Sequence, residues 1–421
     1  MNTDGVRESP LERHCRRVAA LAVELARCLR LPHEQRELLE QAALGHHHRG
    51  NLLEGKALDR LIEDLAIPVA PSGAAGDPAA EHAAPRAAAA SRIVPPDQPA
   101  LRLTGEILQV AEFFVERVEF LPYEVVTWEQ ILDELSRLAQ EASLDLSVVT
   151  ALGSLQHIRK DQLVEKVYHL PVFPLVALKA LEQARCPETD AAQVESLVSS
   201  DQVLAGRLIQ AANSALNNPL RPISSLRQAI AHIGLEAACK ALIAAVFHPL
   251  FASVGLHSLW RHSLEVSDWS ARLASQSAGL LPEEAFLAGL VHDVGRLALQ
   301  TTSAESVIAY TRMLEKGCEP VFAEMVLCGF DHGEAGADIL NSWSFPEHLV
   351  QAVHYHHQPE HCDSALASLL YLAEFWSGSD EDMPSAARLR SAQKRAGLSP
   401  EQLSLAPARR SAWLDALASA R

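Results

Sequence analysis

The chain has few aromatic residues and no excess of positive charge. Aromatic residues make up 5% of its 421 residues, while the hydrophobic share of 48% is ample for a large core. Lys and Arg number 36 against 53 Asp and Glu, so the formal net charge is -17. A chain of this charge is poorly suited to displace counterions from nucleic-acid phosphates or to dock on an anionic membrane. We therefore expect no direct nucleic-acid binding and no membrane association.

The sequence also lacks a disulfide framework, a secretion signal and a long apolar run. The Cys count of seven is odd, and no Cys-x-x-Cys pair occurs, which favours reduced thiols. Charged residues from Glu8 to Arg17 interrupt any apolar run near the N-terminus, so we expect no signal peptide. No stretch approaches the length of apolar sequence that a transmembrane helix needs. These absences predict a cytoplasmic protein without membrane insertion.

Helical patterns dominate the remaining sequence. Leu11 to Leu29 carries apolar residues at helical spacing, and Val194 to Ala212 is a long amphipathic pattern. Pro282 is placed to begin a helix that Gly295 is placed to end, and Pro346 is placed to begin another. Alternating strand-like patterns are essentially absent. The sequence therefore predicts an all-α fold, and its length favours two domains.

Composition suggests where the domains divide. Residues 66–100 are rich in Pro and Ala and predict a low-complexity loop within an N-terminal domain over 1–160. A second domain is expected over 161–378, followed by a helical tail over 379–421. From Arg388 onward this tail holds seven basic residues against two acidic ones, in an otherwise acidic chain. We expect it to dock on the acidic body of the protein, and a partner-binding arm is the alternative.

A set of His and acidic residues recurs through the second domain. Its members are His262, His292, Asp293, His332, His356, His357 and Glu374. Each lies on, or at the end of, a segment with a helical pattern. Imidazole and carboxylate groups together hold hard or borderline divalent metals, which can activate water. The alternative is a set of core histidines that hydrogen-bond to carbonyl groups without a metal.

The two halves of the chain carry similar residues in a similar order. The separation from His14 to His46 is 32 residues, and the separation from His262 to His292 is 30. A segment from Ile107 to Phe113, which includes Glu112, resembles the one around Glu374. Two related helical bundles would explain this order, while coincidence between Ala- and Leu-rich helices is the alternative.

The second half resembles the HDOD domain, a helical signalling-output module related to the HD phosphohydrolases. The motifs that carry the resemblance occur in order over about 165–378. They are Leu170-Pro171-Val172-Phe173-Pro174, Asp201 to Leu204, Ala212 to Ala215, Ile223 to Leu226, Ile233-Gly234, Gly289 to Gly295, His332 to Gly336, Trp343 to Pro346 and His356-His357.

The first half resembles a degenerate HD-GYP domain, a family of cyclic di-GMP phosphodiesterases. His14 matches the opening helix of that family, and Ile107 to Phe114 with Tyr123 matches its last ligand helix. The HD pair reads His46-His47, so its carboxylate is missing, and the Pro/Ala-rich segment replaces the middle motifs. This half is therefore expected to bind no metal and to hydrolyse nothing.

These resemblances imply two HD-type helical bundles and a bacterial signal-transduction protein. Its HDOD domain is expected to act by protein–protein contact without catalysis. The seven residues listed above are then the metal ligands, and the cofactor is a divalent ion such as iron, manganese or magnesium. One alternative is a metal-dependent phosphohydrolase acting on a nucleotide or cyclic dinucleotide, and another is a nucleotide sensor without turnover. A signalling protein is the expected partner, and a homodimer stays open.

Overall fold

The structure, a computed structural model, describes the chain in several segments. These are residues 9–45, 99–120, 128–142, 144–155, 179, 190–198, 202–213, 222–251, 256–299, 304–378 and 386–399. Helices make up nearly all of them and no β-strand occurs within them, which confirms the predicted all-α fold. Among these residues, no single helix has the length and hydropathy to cross a membrane, although one pair bent by 117°, Leu226–Ile233 and Leu235–Phe251, meets those criteria jointly.

The α-helices are numbered in chain order. They are α1 Pro10–Cys28, α2 His33–Gly45, α3 Pro99–Phe120, α4 Trp128–Ala142, α5 Leu146–Leu155, α6 Ala191–Val198, α7 Gln202–Ala212, α8 Leu226–Ile233, α9 Leu235–Phe247, α10 His257–Ala274, α11 Pro282–Val291, α12 Gly295–Leu299, α13 Ala304–Glu315, α14 Pro320–Cys328, α15 His332–Ser342, α16 Glu347–His354, α17 Ala365–Ser377 and α18 Ala386–Arg395. Short 3₁₀ turns occupy His248–Phe251 and Pro359–His361.

Two compact units make up the chain. The first comprises residues 1–159 and 302–331, and the second comprises residues 160–301 and 332–421. In the first unit, α1 packs against α2, α3 and α5. Its start is fixed locally, because Ser9 and Glu12 form a capping box and Pro10 occupies the first turn. Nearly every apolar side chain of α1 is buried, including Val18, Leu21 and Leu25.

Helices α13 and α14 join the first unit through charged contacts with α1, although the expected boundaries had placed them in the second domain. Arg312 on α13 donates two hydrogen bonds to the buried carboxylate of Glu24, at 2.9 and 2.5 Å. Arg17 donates to Glu319 at 2.9 Å. Arg16 donates to the carbonyl oxygen of Gly317 at 3.0 Å. A chain segment far removed in sequence thereby completes the N-terminal bundle.

In the second unit, α10 lies at the centre and packs against α11 and α17. Helix α15 packs against α12 and α16, and α17 packs against α16 and α18. Fully buried side chains such as Trp260, Phe286 and Leu290 fill the core between them. Each such side chain contributes roughly 1.5–3 kcal/mol relative to exposure.

Two sequence interpretations differ from the structure in detail. The pattern over Val194 to Ala212 belongs to two helices, α6 and α7. Gly295 does not end α11, which already ends at Val291, but begins α12. Residues 46–98 and 400–421 lie outside the described residues. They include most of the Pro/Ala-rich segment, His46, His47 and the end of the basic tail.

Candidate metal centre

Helix ends bring the seven predicted residues together in the second unit. His262 lies on α10, and His292 and Asp293 follow the last residue of α11. His332 begins α15. His356 and His357 follow α16, and Glu374 lies on α17. Loop and helix-end positions allow adjacent side chains to face one point, which the regular spacing of a helix would prevent.

Two glycines set the close helix spacing that the cluster needs. A Cβ atom on Gly289 would lie 2.7 Å from the Cα of Ser267, so α10 and α11 approach closely here. A Cβ atom on Gly295 would lie 2.0 Å from the carbonyl oxygen of His332. Only hydrogen fits in that space, so Gly295 lets α12 touch the start of α15 and brings His332 next to Asp293. Close packing, and not helix termination, is the role of Gly295.

Two groups of side chains within the cluster could hold a metal ion. One is His332, His356 and His357, and the other is His292, Asp293, His356 and Glu374. Within each group, one ligand atom per residue lies within 4.8 Å of all the others. His356 belongs to both groups. His262 adjoins the second group, with its Nε2 atom 3.2 Å from that of His292.

Backbone hydrogen bonds fix the ring orientation of two histidines. The Nδ1 atom of His292 lies 2.7 Å from the carbonyl oxygen of Gly289. The Nδ1 atom of His356 lies 2.5 Å from the carbonyl oxygen of Val353. A carbonyl only accepts, so in each neutral ring Nδ1 carries the proton and Nε2 presents a lone pair to the cluster. Histidine ligands of metals have this arrangement, in which the other ring nitrogen donates to a carbonyl or carboxylate.

Burial keeps these imidazoles neutral. It lowers the pKa of His292 to about 4. Burial also lowers the pKa of His356 and of His357 well below the usual histidine value. Metal binding requires the unprotonated ring, so no proton has to be displaced from these three rings near neutral pH.

Asp293 provides the test of whether the cluster fits a cation. Its carboxylate is completely buried, and neither oxygen makes a hydrogen bond of good geometry. Burial by itself would raise the pKa of Asp293, but the positive charge of Arg296 holds it well below its usual value. A buried anionic carboxylate therefore stands among nitrogen lone pairs, and this donor set fits a divalent ion.

The Nε2 atom of His332 has more close neighbours than a single proton can serve. The Nε2 atom of His332 lies 3.0 Å from Oδ1 of Asp293 and 3.3 Å from Nε2 of His356. It also lies 2.8 Å from Nε2 of His357. One ring nitrogen carries at most one proton, while Asp293 and His356 only accept at these atoms. A cation relieves the repulsion between lone pairs that a single proton leaves in place.

Arg296 is a functional candidate that the sequence interpretation missed. Its Nη1 atom lies 3.3 Å from Oδ2 of Asp293, and 16% of its side chain is exposed. The signal that could have identified it is its position one helical turn after Asp293.

In the first unit, His14 and Glu112 do meet, with Nε2 of His14 3.0 Å from Oε1 of Glu112.

Comparison with known proteins identifies the domain that carries the cluster. Residues 170–359 match the family described as HDOD domain. The chain therefore carries an HDOD domain over these residues, as the motifs predicted. Glu374 and helix α18 lie beyond the matched range.

Individual relatives are distant. A protein of Treponema pallidum described as uncharacterized is 20% identical over 217 residues, which cover 51% of this chain and 42% of that protein. The match thus spans less than half of that relative. An HDOD domain protein of unknown function from Geobacter sulfurreducens is 24% identical, with a TM-score of 0.48, over 55% of this chain and 88% of that one. A protein provisionally named a phosphohydrolase, from Shewanella amazonensis, is 23% identical, with a TM-score of 0.46. The match covers 61% of this chain and 96% of that one.

Proposed function

We propose that this chain is a cytoplasmic signal-transduction protein whose HDOD domain holds one divalent metal ion. It acts by contact with a partner protein and not by hydrolysis. The observation that carries the proposal is the convergence of neutral imidazole lone pairs on the buried carboxylate of Asp293. The presence of an HDOD domain is consistent with a signalling role.

The ligand chemistry favours a borderline first-row ion. Five imidazoles and two carboxylates surround the centre. Imidazole suits iron or zinc, and the carboxylates also suit manganese. Magnesium prefers an octahedral shell of oxygen ligands and gives up its bound water molecules reluctantly. Among the ions expected from the resemblance, iron and manganese therefore fit these residues better than magnesium does.

One ion, and not two, is supported by the shared ligand. His356 belongs to both groups, yet its Nδ1 atom is committed to Val353. Its single free lone pair, on Nε2, binds one ion at a time. A second divalent ion would also leave a large uncompensated positive charge in a buried site that already contains Arg296.

The depth of the centre supports a regulatory role. The side chains of Asp293, His332 and His356 are 0% exposed, and only His262 and His357 have more than a tenth of their surface exposed. A hydrolytic metal keeps an open position that a substrate can reach. A closed centre instead stabilises one arrangement of the surrounding helix ends. Through that arrangement, metal occupancy would control the surface offered to a signalling partner.

The alternative is a metal-dependent phosphohydrolase acting on a nucleotide or cyclic dinucleotide. A bound divalent ion would supply an activated water nucleophile. The observation in its favour is Arg296, because a partly exposed guanidinium beside the centre could receive a phosphate group. A sensor that binds a nucleotide without turnover would use the same guanidinium.

Metal content and hydrolysis, measured on the same preparations, test these proposals. The protein should be purified without chelator or His-tag, beside a variant with His292→Ala and Asp293→Ala. We expect one equivalent of iron or manganese in the unchanged protein, none in the variant, and no hydrolysis of bis-p-nitrophenyl phosphate by either. Absence of metal from the unchanged protein would overturn the metal proposal. Hydrolysis that disappears in the variant would instead establish the phosphohydrolase.

We also propose that the first unit is a degenerate HD-GYP-like bundle that has lost its chemistry. The contact between His14 and Glu112 supports this, because those two positions match the first and last ligand helices of that family. Among the described residues, the two groups that could hold a metal ion both lie in the second unit. The first unit would then receive a signal or a partner without hydrolysing a substrate.

A further inference from the structure

Helix α18 holds the turn that follows the two adjacent histidines of the centre. The Nη2 atom of Arg388 donates to the carbonyl oxygen of His357 at 2.5 Å. The same guanidinium forms an ion pair with Glu360, at 2.8 Å, and its Cζ atom lies 5.0 Å from the centroid of the Tyr371 ring. One side chain thus joins the metal-ligand turn to α17, the helix that carries Glu374.

A second arginine on α18 binds the same turn. The Nη1 atom of Arg395 donates to the carbonyl oxygens of Pro359, at 2.5 Å, and Cys362, at 3.0 Å. These are main-chain contacts, so they restrain the path of the backbone regardless of the side chains at those positions. Two guanidinium groups therefore fix the segment from His357 to Cys362.

Helix α18 is itself anchored and can serve as a rigid support. Ala392, Ala396 and Leu398 are buried. The hydroxyl of Ser277, just beyond α10, donates to the carbonyl oxygen of Ala396 at 2.5 Å. Arg388 and Arg395 are therefore used within the second unit.

We propose that Arg388 is a positioning residue for the metal centre, acting through the main chain of His357. The inference rests on the proposed metal site. His356 has its own anchor, since its Nδ1 atom bonds to Val353. The Nδ1 atom of His357 instead lies 3.8 Å from Oε2 of Glu374, too far for a hydrogen bond. The ring of His357 contacts the cluster itself, with Nε2 2.8 Å from that of His332, and the hold on it from outside the cluster is the backbone that Arg388 binds.

The contact to the carbonyl, and not the ion pair, carries this effect. The side chains of Arg388 and Glu360 are 29% and 37% exposed, and ion pairs in contact with solvent contribute little. A charge-assisted hydrogen bond to a part-buried carbonyl is stronger and directional. Loss of Glu360 should thus leave the centre intact, whereas loss of Arg388 should loosen it.

The test compares four variants: Arg388→Ala, Arg388→Lys, Glu360→Gln and Arg272→Ala. Arg272 is a matched control in the same unit, with an ion pair to Asp268 at 2.6 Å and its Cζ atom 5.8 Å from the Trp269 ring. Two quantities are measured on the full chain. One is Co²⁺ affinity and its visible absorption spectrum, and the other is amide hydrogen exchange in a peptide covering 355–363.

We expect Arg388→Ala to speed exchange in that peptide, to weaken Co²⁺ binding by about 10-fold and to change the spectrum. Arg388→Lys should restore part of both properties, and it remains informative if the alanine variant fails to fold. Glu360→Gln and Arg272→Ala should match the unchanged protein. Unchanged exchange in Arg388→Ala and Arg388→Lys would overturn the proposal. Faster exchange with unchanged Co²⁺ affinity would overturn the link to the centre.

Metal binding by the centre and the positioning role of Arg388 can be disproved separately. If the unchanged protein binds no Co²⁺, iron or manganese, the proposed function fails, and the positioning role toward a metal fails with it. If the unchanged protein binds Co²⁺ and Arg388→Ala binds it equally well with the same spectrum, only the role of Arg388 fails.

Discussion

His332 and Asp293 meet at 3.0 Å, Nε2 to Oδ1, and both side chains are completely buried. One begins α15, and the other follows α11. The space for this contact exists because Gly295 lacks a side chain where the two segments touch. The pair joins the two candidate metal-binding groups, since Asp293 belongs to one and His332 to the other.

The first prediction concerns the charge of Asp293. Asp293→Asn keeps the shape of the side chain but removes the anion that balances a bound cation. We expect metal affinity to fall by more than the roughly 10- to 100-fold typical of an outer-shell partner. Elemental mass spectrometry and competition with a chromophoric chelator measure this. Asp268→Asn, which changes a carboxylate paired with Arg272 on α10, should retain the metal. Equal metal content in both variants would contradict the assignment of Asp293.

The second prediction concerns His356, the ligand shared by both groups. If one ion occupies the centre, His356→Gln should remove it entirely. If two independent ions were present, the variant would keep a fraction of the original metal. His348→Gln is the control, because His348 lies in the same unit with 53% of its side chain exposed. Stoichiometry after gel filtration, measured against protein concentration from amino-acid analysis, separates these outcomes.

The third prediction compares a tightly packed glycine, Gly295, with one that has open space around it, Gly206. The Cβ atom introduced by Gly295→Ala would lie 2.0 Å from the carbonyl oxygen of His332, so α12 and α15 must separate. We expect a loss of about 1–3 kcal/mol in unfolding free energy, together with loss of metal. Gly206 on α7 has no neighbouring atom within 4 Å of the corresponding position. Gly206→Ala should therefore stabilise the protein, by about 0.5–1 kcal/mol. Denaturant titration measures both, and destabilisation of similar size in the two variants would refute the packing role of Gly295.

The residues of the centre could largely be predicted from the sequence, because their types and positions at the ends of helical patterns are typical of metal ligands. His-Asp and His-His pairs at the ends of helical patterns, with Glu374 on a later helix, are enough to predict one cluster. The structure brings all seven residues together, while their binding of a metal stays a prediction. The all-α fold follows likewise from the apolar periodicity of segments such as α1.

Other features depend on packing and have no local signal. Nothing near Arg312 in sequence indicates that it binds Glu24, 288 residues away. The sharing of His356 depends on ring orientation, which the carbonyl of Val353 determines. Arg388 looks in sequence like one charge among several in a basic tail, and only the fold shows that it reaches the carbonyl of His357.

The fourth prediction concerns the ion pair between Arg312 and Glu24. The side chain of Glu24 is 3% exposed, so Arg312→Ala would leave a nearly buried carboxylate without its bidentate partner. The cost should be about 2 kcal/mol in unfolding free energy, less than for a fully buried pair because Arg312 is itself partly exposed. His33→Ala is the control in the same unit, since it removes a pair whose side chains are 74% and 63% exposed. That control should change the unfolding free energy by less than about 0.5 kcal/mol. Equal effects of the two substitutions in denaturant titrations would contradict the importance of burial.

The fifth prediction concerns thiol reactivity, which depends on the fraction of thiolate and on access. Burial raises the pKa of Cys239 to about 11 and the pKa of Cys318 and of Cys328 to about 12. Near pH 8, only about one thiol in a thousand or fewer would be ionised at these positions, so alkylation of the folded protein should be very slow. Burial raises the pKa of Cys28 as well, but this thiol is exposed and should react first among the thiols that the structure describes. Iodoacetamide labelling followed by peptide mass spectrometry reads each site separately, and labelling in denaturant provides the fully accessible reference. Labelling of Cys318 or Cys328 as fast as Cys28 in the folded protein would show that these helices open readily, against the burial described for α14 and the turn before it.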